Sequence, residues 1–335
     1  MGRLFMKTYR HLFDKITAFP NLLLAAKLAQ RGKRFRYEVA QFNFGLERDL
    51  LKLQEELVSG KWTPGAYHSF TVFEPKERPI VAAPYRDRVV HHALCNVIEP
   101  IFEAGFMEDS YACREGKGTH AALDRAQNFL RLSRFVLQCD VRKFFFSVNH
   151  ETLRSVISKK IGCARTLELI HKIIASGGSV GLPIGNLTSQ LFANVYLNEL
   201  DRFVKQKLGR RRYLRYMDDF AVFGDSKSEL AAIKNEIAGF LSGRLQLELK
   251  EKKSVILRAK NGMSFLGFRM FPCYRRLTGA NVAKFVKHFK ALRAGWLAQT
   301  VSFKEMRDSV RAWIAHAEHG NTWNLRTKLL WERKF

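Results

Sequence analysis

In Tyr213-Leu214-Arg215-Tyr216-Met217-Asp218-Asp219-Phe220-Ala221-Val222-Phe223, two short runs rich in aromatic and aliphatic residues flank a pair of adjacent carboxylates. Runs of this composition and length are strand signals, so the pattern predicts strands at Tyr213 to Tyr216 and Phe220 to Phe223, with Asp218 and Asp219 at the tip of a tight hairpin. Leu214, Phe220 and Val222 are apolar enough to belong to a core. Two carboxylates beside a core repel each other and lose hydration, and a chain keeps them there only where a cation or a donor network stabilises them. An acidic turn in open water is the ordinary alternative, and four residues alone do not decide between the two.

A second acid makes the pattern specific. Phe135 to Val141 reads as a mostly apolar strand that carries Asp140 near its end and runs into Arg142-Lys143-Phe144-Phe145-Phe146-Ser147. Three carboxylates on the ends of adjacent strands suit a pair of Mg²⁺ ions, hard cations that take oxygen ligands about 3.5–4 Å apart. Two such ions activate a 3′-hydroxyl and neutralise a leaving pyrophosphate, which is the chemistry of nucleotidyl transfer.

Charge agrees with that chemistry. The 335 residues hold 57 Lys and Arg against 31 Asp and Glu, a net charge of +26. The excess is spread along the chain and is strongest at its ends. Residues 1–40 carry nine basic residues against Asp14 and Glu38, and residues 271–335 carry thirteen against Glu305, Asp308, Glu318 and Glu332. Self-repulsion of this size destabilises a fold unless a polyanion compensates it, and nucleic-acid phosphate is the natural partner. The apolar fraction of 47% supplies a core without disulfides or a structural metal. Cys95, Cys113, Cys139, Cys163 and Cys273 form no Cys-x-x-Cys pair and read as reduced structural thiols. No apolar run approaches the ~18 residues of a membrane span, and the N-terminus shows no signal-peptide core, so the expectation is a cytoplasmic protein with no membrane partner.

Working outward, periodicity predicts helices at 22–31, 45–59, 86–101, 119–132, 150–160, 164–175, 187–208 and 227–242. The 187–208 helix presents Leu187, Leu191, Val195, Leu200 and Val204 on one face. His68 to Phe73 and Arg78 to Ala83 form a hairpin with a basic tip at Glu74-Pro75-Lys76-Glu77. Strands resume from Leu245 to Met270, and the remainder is helical and basic. With Lys76 and Arg78 to cover a triphosphate, the residues alone point to a template-dependent polymerase.

In these motifs the chain resembles reverse transcriptases from about residue 68 to 270. The ordered matches are Arg78-Pro79-Ile80, the Asp140 strand, Gly181-Leu182-Pro183-Ile184-Gly185-Asn186, Tyr216-Met217-Asp218-Asp219, Lys252-Lys253-Ser254 and Phe265-Leu266-Gly267-Phe268. The resemblance implies an α+β right-hand polymerase fold. Its fingers and N-terminal helices would cover 1–139, its palm 140–270 with fingers helices interleaved at about 150–185, and its helical thumb 271–335. It also implies Asp140 and Asp218 as principal ligands of two Mg²⁺ ions, with Mn²⁺ a substitute, Asp219 in support and the Val141 carbonyl assisting. Lys76 and Arg78 would contact the incoming dNTP. Phe145 would lie under the deoxyribose and exclude a 2′-hydroxyl, and Ile184 and Gly185 would border the nucleotide. Lys253, or Lys252 if the register slips by one, would serve as general acid to pyrophosphate. Phe265, Leu266 and Gly267 would form the primer grip, and Lys284, Lys287 and Lys290 of the thumb would follow the duplex backbone.

Within the family, Ile184 stands where most members have glutamine. With Ser189-Gln190 and the short length, this is similar to the enzymes of diversity-generating retroelements, in which a template-repeat RNA is copied with errors at adenines. The cDNA then replaces a variable repeat by mutagenic retrohoming, and a small basic helical accessory protein partners the enzyme. Retron enzymes are the nearest competitor, although the thumb lacks their Val-Thr-Gly. Group II intron maturases fit less well, with 65 residues after Met270. The rival from another class is a catalytically inactive nucleic-acid-binding scaffold, which would have no physical reason to keep three repelling carboxylates together. His91-His92 lacks metal-ligand spacing and reads as packing or phosphate contact. The tryptophans at 296, 313, 323 and 331 read as core rather than base-stacking, and Ser110 to Gly118 as a template contact without Walker spacing.

Overall fold

The computed structural model describes residues 8–73 and 77–332. Among the described residues four helices come first: α1 (Phe13–Thr17), α2 (Phe19–Ala29), α3 (Tyr37–Phe44) and α4 (Leu46–Val58). Leu50, Leu53 and Leu57 recur at helical spacing on α4 and all three are buried. A hairpin follows, β1 (His68–Phe73) against β2 (Glu77–Ala82), with His68 opposite Ala82 and Val72 opposite Arg78. Lys76 lies outside the described residues. Next come α5 (Tyr85–Glu103) and α6 (Thr119–Arg131).

The central region begins with β3 (Phe135–Asp140), followed by α7 (Phe144–Ser147), α8 (His150–Ser158), α9 (Ala164–Ala175) and α10 (Leu187–Arg202). The chain returns as β4 (Tyr213–Tyr216), β5 (Asp219–Gly224), α11 (Lys227–Leu245) and β6 (Val255–Arg258). These four strands make one antiparallel sheet in the order β4-β5-β3-β6. Strand periodicity sends alternate residues to opposite faces. Leu137, Cys139, Tyr213, Phe220 and Val222 therefore enter the larger core, which α5 and α8 to α11 share. Val136, Leu214, Ala221 and Phe223 enter a second core with Leu123, Phe129 and Leu130 of α6. That second core also takes Phe265 and Phe268 from a small antiparallel sheet of β7 (Met263–Phe265), β8 (Phe268–Met270) and β9 (Arg275–Leu277). Helices α12 (Gly279–Leu297), α13 (Phe303–Ala317) and α14 (Trp323–Thr327) complete the fold. Thr278 caps α12, and Ser302 with Glu305 forms a capping box on α13.

Several sequence expectations need correction. Leu245 to Met270 is not a run of strands: Leu245 ends α11, and 3₁₀ turns at Glu251–Lys253 and Ala259–Asn261 separate the short strands. α10 is not amphipathic, because α5, α8 and α11 surround it and bury Asn194, Asn198 and Asp201 along with its apolar residues. The last turn of the expected 187–208 helix, Phe203–Lys207, widens into a π-helix. β3 starts at Phe135 as expected but ends at Asp140, one residue short of Val141. Of the C-terminal tryptophans, Trp313 stacks on Phe285 at 3.7 Å, whereas Trp296 and Trp323 are exposed. His91 is buried and its imidazole is held neutral, its pKa lowered to about 3 by burial, so it packs. Ser110, Tyr111 and Ala112 are buried, and the Tyr111 N–H donates to the Arg215 carbonyl at 3.0 Å, so the front of that segment braces β4. The five cysteines are free, with Cys113 and Cys273 exposed. Among the described residues no helix is long and apolar enough to cross a membrane.

Candidate active site

The β4–β5 connection is a two-residue turn, Met217 and Asp218, with Met217 at a left-handed φ of +55°. Asp218 is thus the turn residue, and Asp219 is the first residue of β5. Asp219 faces Tyr216 on one neighbour and Asp140 on the other. The Val141 N–H donates to the Asp218 carbonyl at 3.3 Å, so the end of β3 holds the turn. From the other side, Tyr216 Oη and Thr119 Oγ1 share a hydrogen bond of 3.1 Å. The sheet therefore brings Asp140 beside the adjacent pair Asp218 and Asp219, which lies far from it in sequence.

Their electrostatics are unbalanced. Burial, and then the charge of Asp218, raise the Asp219 carboxyl to a pKa of about 7, and a hydrogen bond with Asp140 adds to the effect. Asp140 is itself buried. The compensating cation is Lys253, whose Nζ donates to Asp140 Oδ2. Burial pulls that ammonium toward neutrality, but the bond to Asp140 and the charges of Asp219, Asp140 and Asp218 outweigh it and hold its pKa above the usual lysine value. Lys253 is delivered by the 3₁₀ turn Glu251–Lys253, and the Lys250 N–H bond of 2.8 Å to the Asp140 carbonyl anchors that turn to β3. Lys252 does not reach the aspartates. It lines a neighbouring cavity of about 710 Å³ with Arg142, Lys143 and Lys250, a cavity that none of the three carboxylates borders.

An all-oxygen set of carboxylates with excess negative charge fits hard divalent cations in chemistry. Among the described residues no group of three or more His, Cys, Asp or Glu side chains is already spaced to hold an ion. Asp140 is drawn onto the Lys253 ammonium instead.

The other expected site residues fall around this centre. Phe145 follows Lys143, which turns the chain with a φ of +46° into α7. Its ring packs edge-on against Phe144, and its carbonyl accepts from the Leu182 N–H at 2.6 Å. Gly181 is packed so closely here that a Cβ would stand 2.8 Å from the Phe145 carbonyl oxygen. A few residues on, the Ile184 carbonyl accepts from Val81 of β2 at 2.9 Å, and a Cβ on Gly185 would meet Ile80 Cγ2 at 3.1 Å. The segment 181–185 thus links the hairpin strand carrying Arg78 to the segment after Asp140. Phe265 ends β7 opposite Phe268, and Leu266 and Gly267 form the β7–β8 turn, with φ of +47° and +85°. Thr278 N–H and Asn281 Nδ2 both donate to the Gly267 carbonyl, at 3.0 and 3.2 Å, and seat the turn on α12. Lys284, Lys287 and Lys290 are exposed along α12.

A second group of charges was not anticipated. Arg215, between Leu214 and Tyr216, is buried and pairs with Asp201 of α10. A strand position two residues from the core residue Tyr213, and polar residues Asn194, Asn198 and Asp201 on one side of a helix, are the signals that could have found it.

Comparison with known proteins assigns the family. Residues 73–270 match the family described as reverse transcriptase (RNA-dependent DNA polymerase). The chain is 29% identical to protein YkfC of Escherichia coli over 274 residues, covering 66% of this chain and 71% of that protein. It is 23% identical to the group II intron-encoded protein LtrA of Lactococcus lactis over 296 residues, covering 66% of this chain and 49% of LtrA, so it spans about half of that relative. Among solved structures it resembles apo telomerase from Candida tropicalis, with a TM-score of 0.53 and 12% identity over 80% of this chain and 60% of that one, a likeness of fold. The chain belongs to the reverse transcriptase family and has its right-hand polymerase fold. Its activity class is RNA-directed DNA polymerisation, a nucleotidyl transfer that in this family uses divalent metal ions.

Proposed function

We propose that this reverse transcriptase serves a diversity-generating retroelement, copying a template-repeat RNA into cDNA that carries errors at adenines. The observation that carries this reading is Ile184. Its backbone is tied to β2 through Val81, and a side chain on its neighbour Gly185 would crowd Ile80 and Val81, so residue 184 has its station between the fingers hairpin and the segment after Asp140. A glutamine amide there can hydrogen-bond to fingers residues and near the nascent pair, whereas isoleucine only fills volume. One net hydrogen bond is worth about 0.5–1.5 kcal/mol, so its absence relaxes discrimination roughly two- to tenfold. A·T pairs, with fewer hydrogen bonds of their own, feel that loss most.

The remaining roles belong to the same proposal. Asp140 and Asp218 are the residues to hold Mg²⁺, or Mn²⁺ in its place, with Asp219 in support and the Val141 carbonyl assisting. When bound, the two ions supply Lewis acidity toward the primer 3′-hydroxyl and charge for the departing pyrophosphate. Lys253, already charged and at the carboxylates, fits the general acid better than Lys252, which points to another cavity. Phe145 is the sugar gate, and Lys76 and Arg78 approach the triphosphate and base. Phe265 to Gly267 grip the primer, and Lys284, Lys287 and Lys290 follow the duplex. In this scheme residues 1–139 act as N-terminal helices and fingers, 140–270 as palm with fingers helices interleaved at about 150–185, and 271–335 as thumb. The partners are template RNA, dNTPs, the RNA–DNA duplex and a small basic helical accessory protein, and the setting is the cytoplasm.

The match to LtrA favours a second reading, a group II intron-type reverse transcriptase. Sequencing cDNA made on one RNA of mixed composition separates the two. Errors concentrated opposite template adenine support the first, and equal errors opposite all four bases support the second.

A further inference from the structure

Arg215 is buried with a full guanidinium charge, yet its donors are placed with care. Nε donates to Asp201 Oδ1 at 2.7 Å and Nη2 to Oδ2 at 2.6 Å, a parallel two-bond pair. Nη1 reaches two further acceptors, Asn194 Oδ1 at 3.1 Å and the Met217 carbonyl at 3.0 Å. The acceptors are fixed in turn. Tyr213 Oη donates to Asp201 Oδ1 at 2.6 Å, and Asn194 Nδ2 donates to the Ala112 carbonyl at 2.8 Å.

The Met217 carbonyl belongs to the peptide that precedes Asp218. Met217 sits in the left-handed region, which is costly for a side chain without local hydrogen bonding and persists only where its surroundings enforce it. The peptide that follows Asp218 is held as well, through Val141. Asp218 therefore hangs between two pinned peptide planes, one fixed by β3 and the other by a guanidinium from the core.

We infer that Arg215 is a positioning residue for the metal-binding carboxylates: it fixes the Met217–Asp218 peptide so that Asp218 can meet Asp140 and Asp219 around a divalent cation, with Asp201 and Asn194 orienting the guanidinium. This rests on the assignment of those three aspartates as metal ligands. Core stability does not account for the arrangement, because a buried ion pair replaced by packed apolar residues of similar volume is often no less stable. Lysine cannot substitute, since a point-like ammonium cannot serve both Asp201 oxygens in parallel and still reach the Met217 carbonyl.

The test compares the full-length wild type, Arg215→Lys and the triple variant Tyr213→Phe/Asp201→Leu/Arg215→Met, which removes the buried charges together. Four quantities are measured: the thermal unfolding midpoint, Mn²⁺ binding by calorimetry without nucleotide, the Mg²⁺ concentration for half-maximal primer extension, and RNA–DNA duplex affinity. The expected result is a folded protein whose Mn²⁺ affinity falls about ten- to hundredfold, as for other residues that orient metal ligands, with the Mg²⁺ requirement rising in step. RNA–DNA duplex affinity stays at the wild-type value. A folded variant with Mn²⁺ affinity and Mg²⁺ requirement within about twofold of wild type overturns the inference, because ligand-orienting residues exceed that. If the triple variant does not fold, Arg215→Lys, which keeps the charge opposite Asp201, decides by the same two readings. A wild type that binds Mn²⁺ but extends no primer breaks the functional reading and leaves the Mn²⁺ comparison to decide this one. A wild type that binds no Mn²⁺ overturns both.

Discussion

The β4–β5 hairpin has charged groups at its tip and on its inner face, and the two are built on opposite principles. On the inner face Arg215 and Asp201 are almost completely buried, yet each charge has its opposite at 2.6 Å and further partners in Asn194, Tyr213 and the Met217 carbonyl. Burial works against the Arg215 charge, but Asp201 more than restores it and holds its pKa above the usual arginine value. At the tip, Asp140, Asp218 and Asp219 gather around the Lys253 ammonium, and Asp219 is driven up to about 7. A satisfied charge cluster is explained by the fold it belongs to. A frustrated one is not, and the divalent cation proposed to join it during function would offset its cost.

The contrast is sharpest in stability. Asp201→Ala leaves the Arg215 guanidinium buried and unpaired, an error that costs about 3–5 kcal/mol of unfolding free energy. Asp219→Asn removes a like charge from the tip and is expected to cost no stability. Denaturant unfolding of both variants checks this, and an Asp201→Ala loss below about 1 kcal/mol would place the pair among those of surface value and erase the distinction. Phe145 is half-buried and packs against the larger core and Phe144, so Phe145→Ala should change selectivity and also cost some stability. Use of rNTP relative to dNTP rises by at least about tenfold, the scale of one carbon-sized steric block, in single-nucleotide incorporation. An unchanged preference moves the gate to Phe144, which is buried, or Phe146, which is half-exposed.

Smaller effects lie farther from the hairpin. Replacing Lys284, Lys287 and Lys290 by Glu should flatten the log–log dependence of duplex affinity on salt by about 0.9 for each phosphate that the thumb no longer neutralises. An identical slope would put the duplex on another face. Ile184→Gln should lower misincorporation opposite template adenine by roughly two- to tenfold, more than opposite the other bases. Equal improvement at all four bases would remove Ile184 as the source of any adenine bias.

Much of this was legible in the sequence. The strand Tyr213–Tyr216 and the hairpin strand His68–Phe73 lie at their expected residues, because alternation and turn residues specify short strands locally. The Asp140–Asp219 meeting was legible as well, since each acid ends or begins an apolar run. Arg215 and Asp201 were hidden because their partnership is set by how α10 crosses the sheet, although Asn194 and Asp201 stand seven residues apart, two helical turns on one face. The pieces on either side of β6, Glu251–Lys253 and Ala259–Asn261, were misread as strand. Their 3₁₀ turns are three residues long, too short to leave a period. Trp296 and Trp323 were assigned to a core that the thumb helices do not provide there.

The claim that the hairpin tip is a site of metal-dependent DNA synthesis is tested most directly by primer extension on an RNA template with dNTPs and Mg²⁺, comparing wild type with Asp218→Asn. The substitution removes one carboxylate and adds no bulk. The account predicts extended DNA from the wild type and loss of at least about 10³-fold in rate for the variant, the scale seen when one essential group of a catalytic set is removed. RNA binding and the thermal midpoint of the variant should stay at or above wild type. Retention of more than a few per cent of wild-type extension by the folded variant would contradict it.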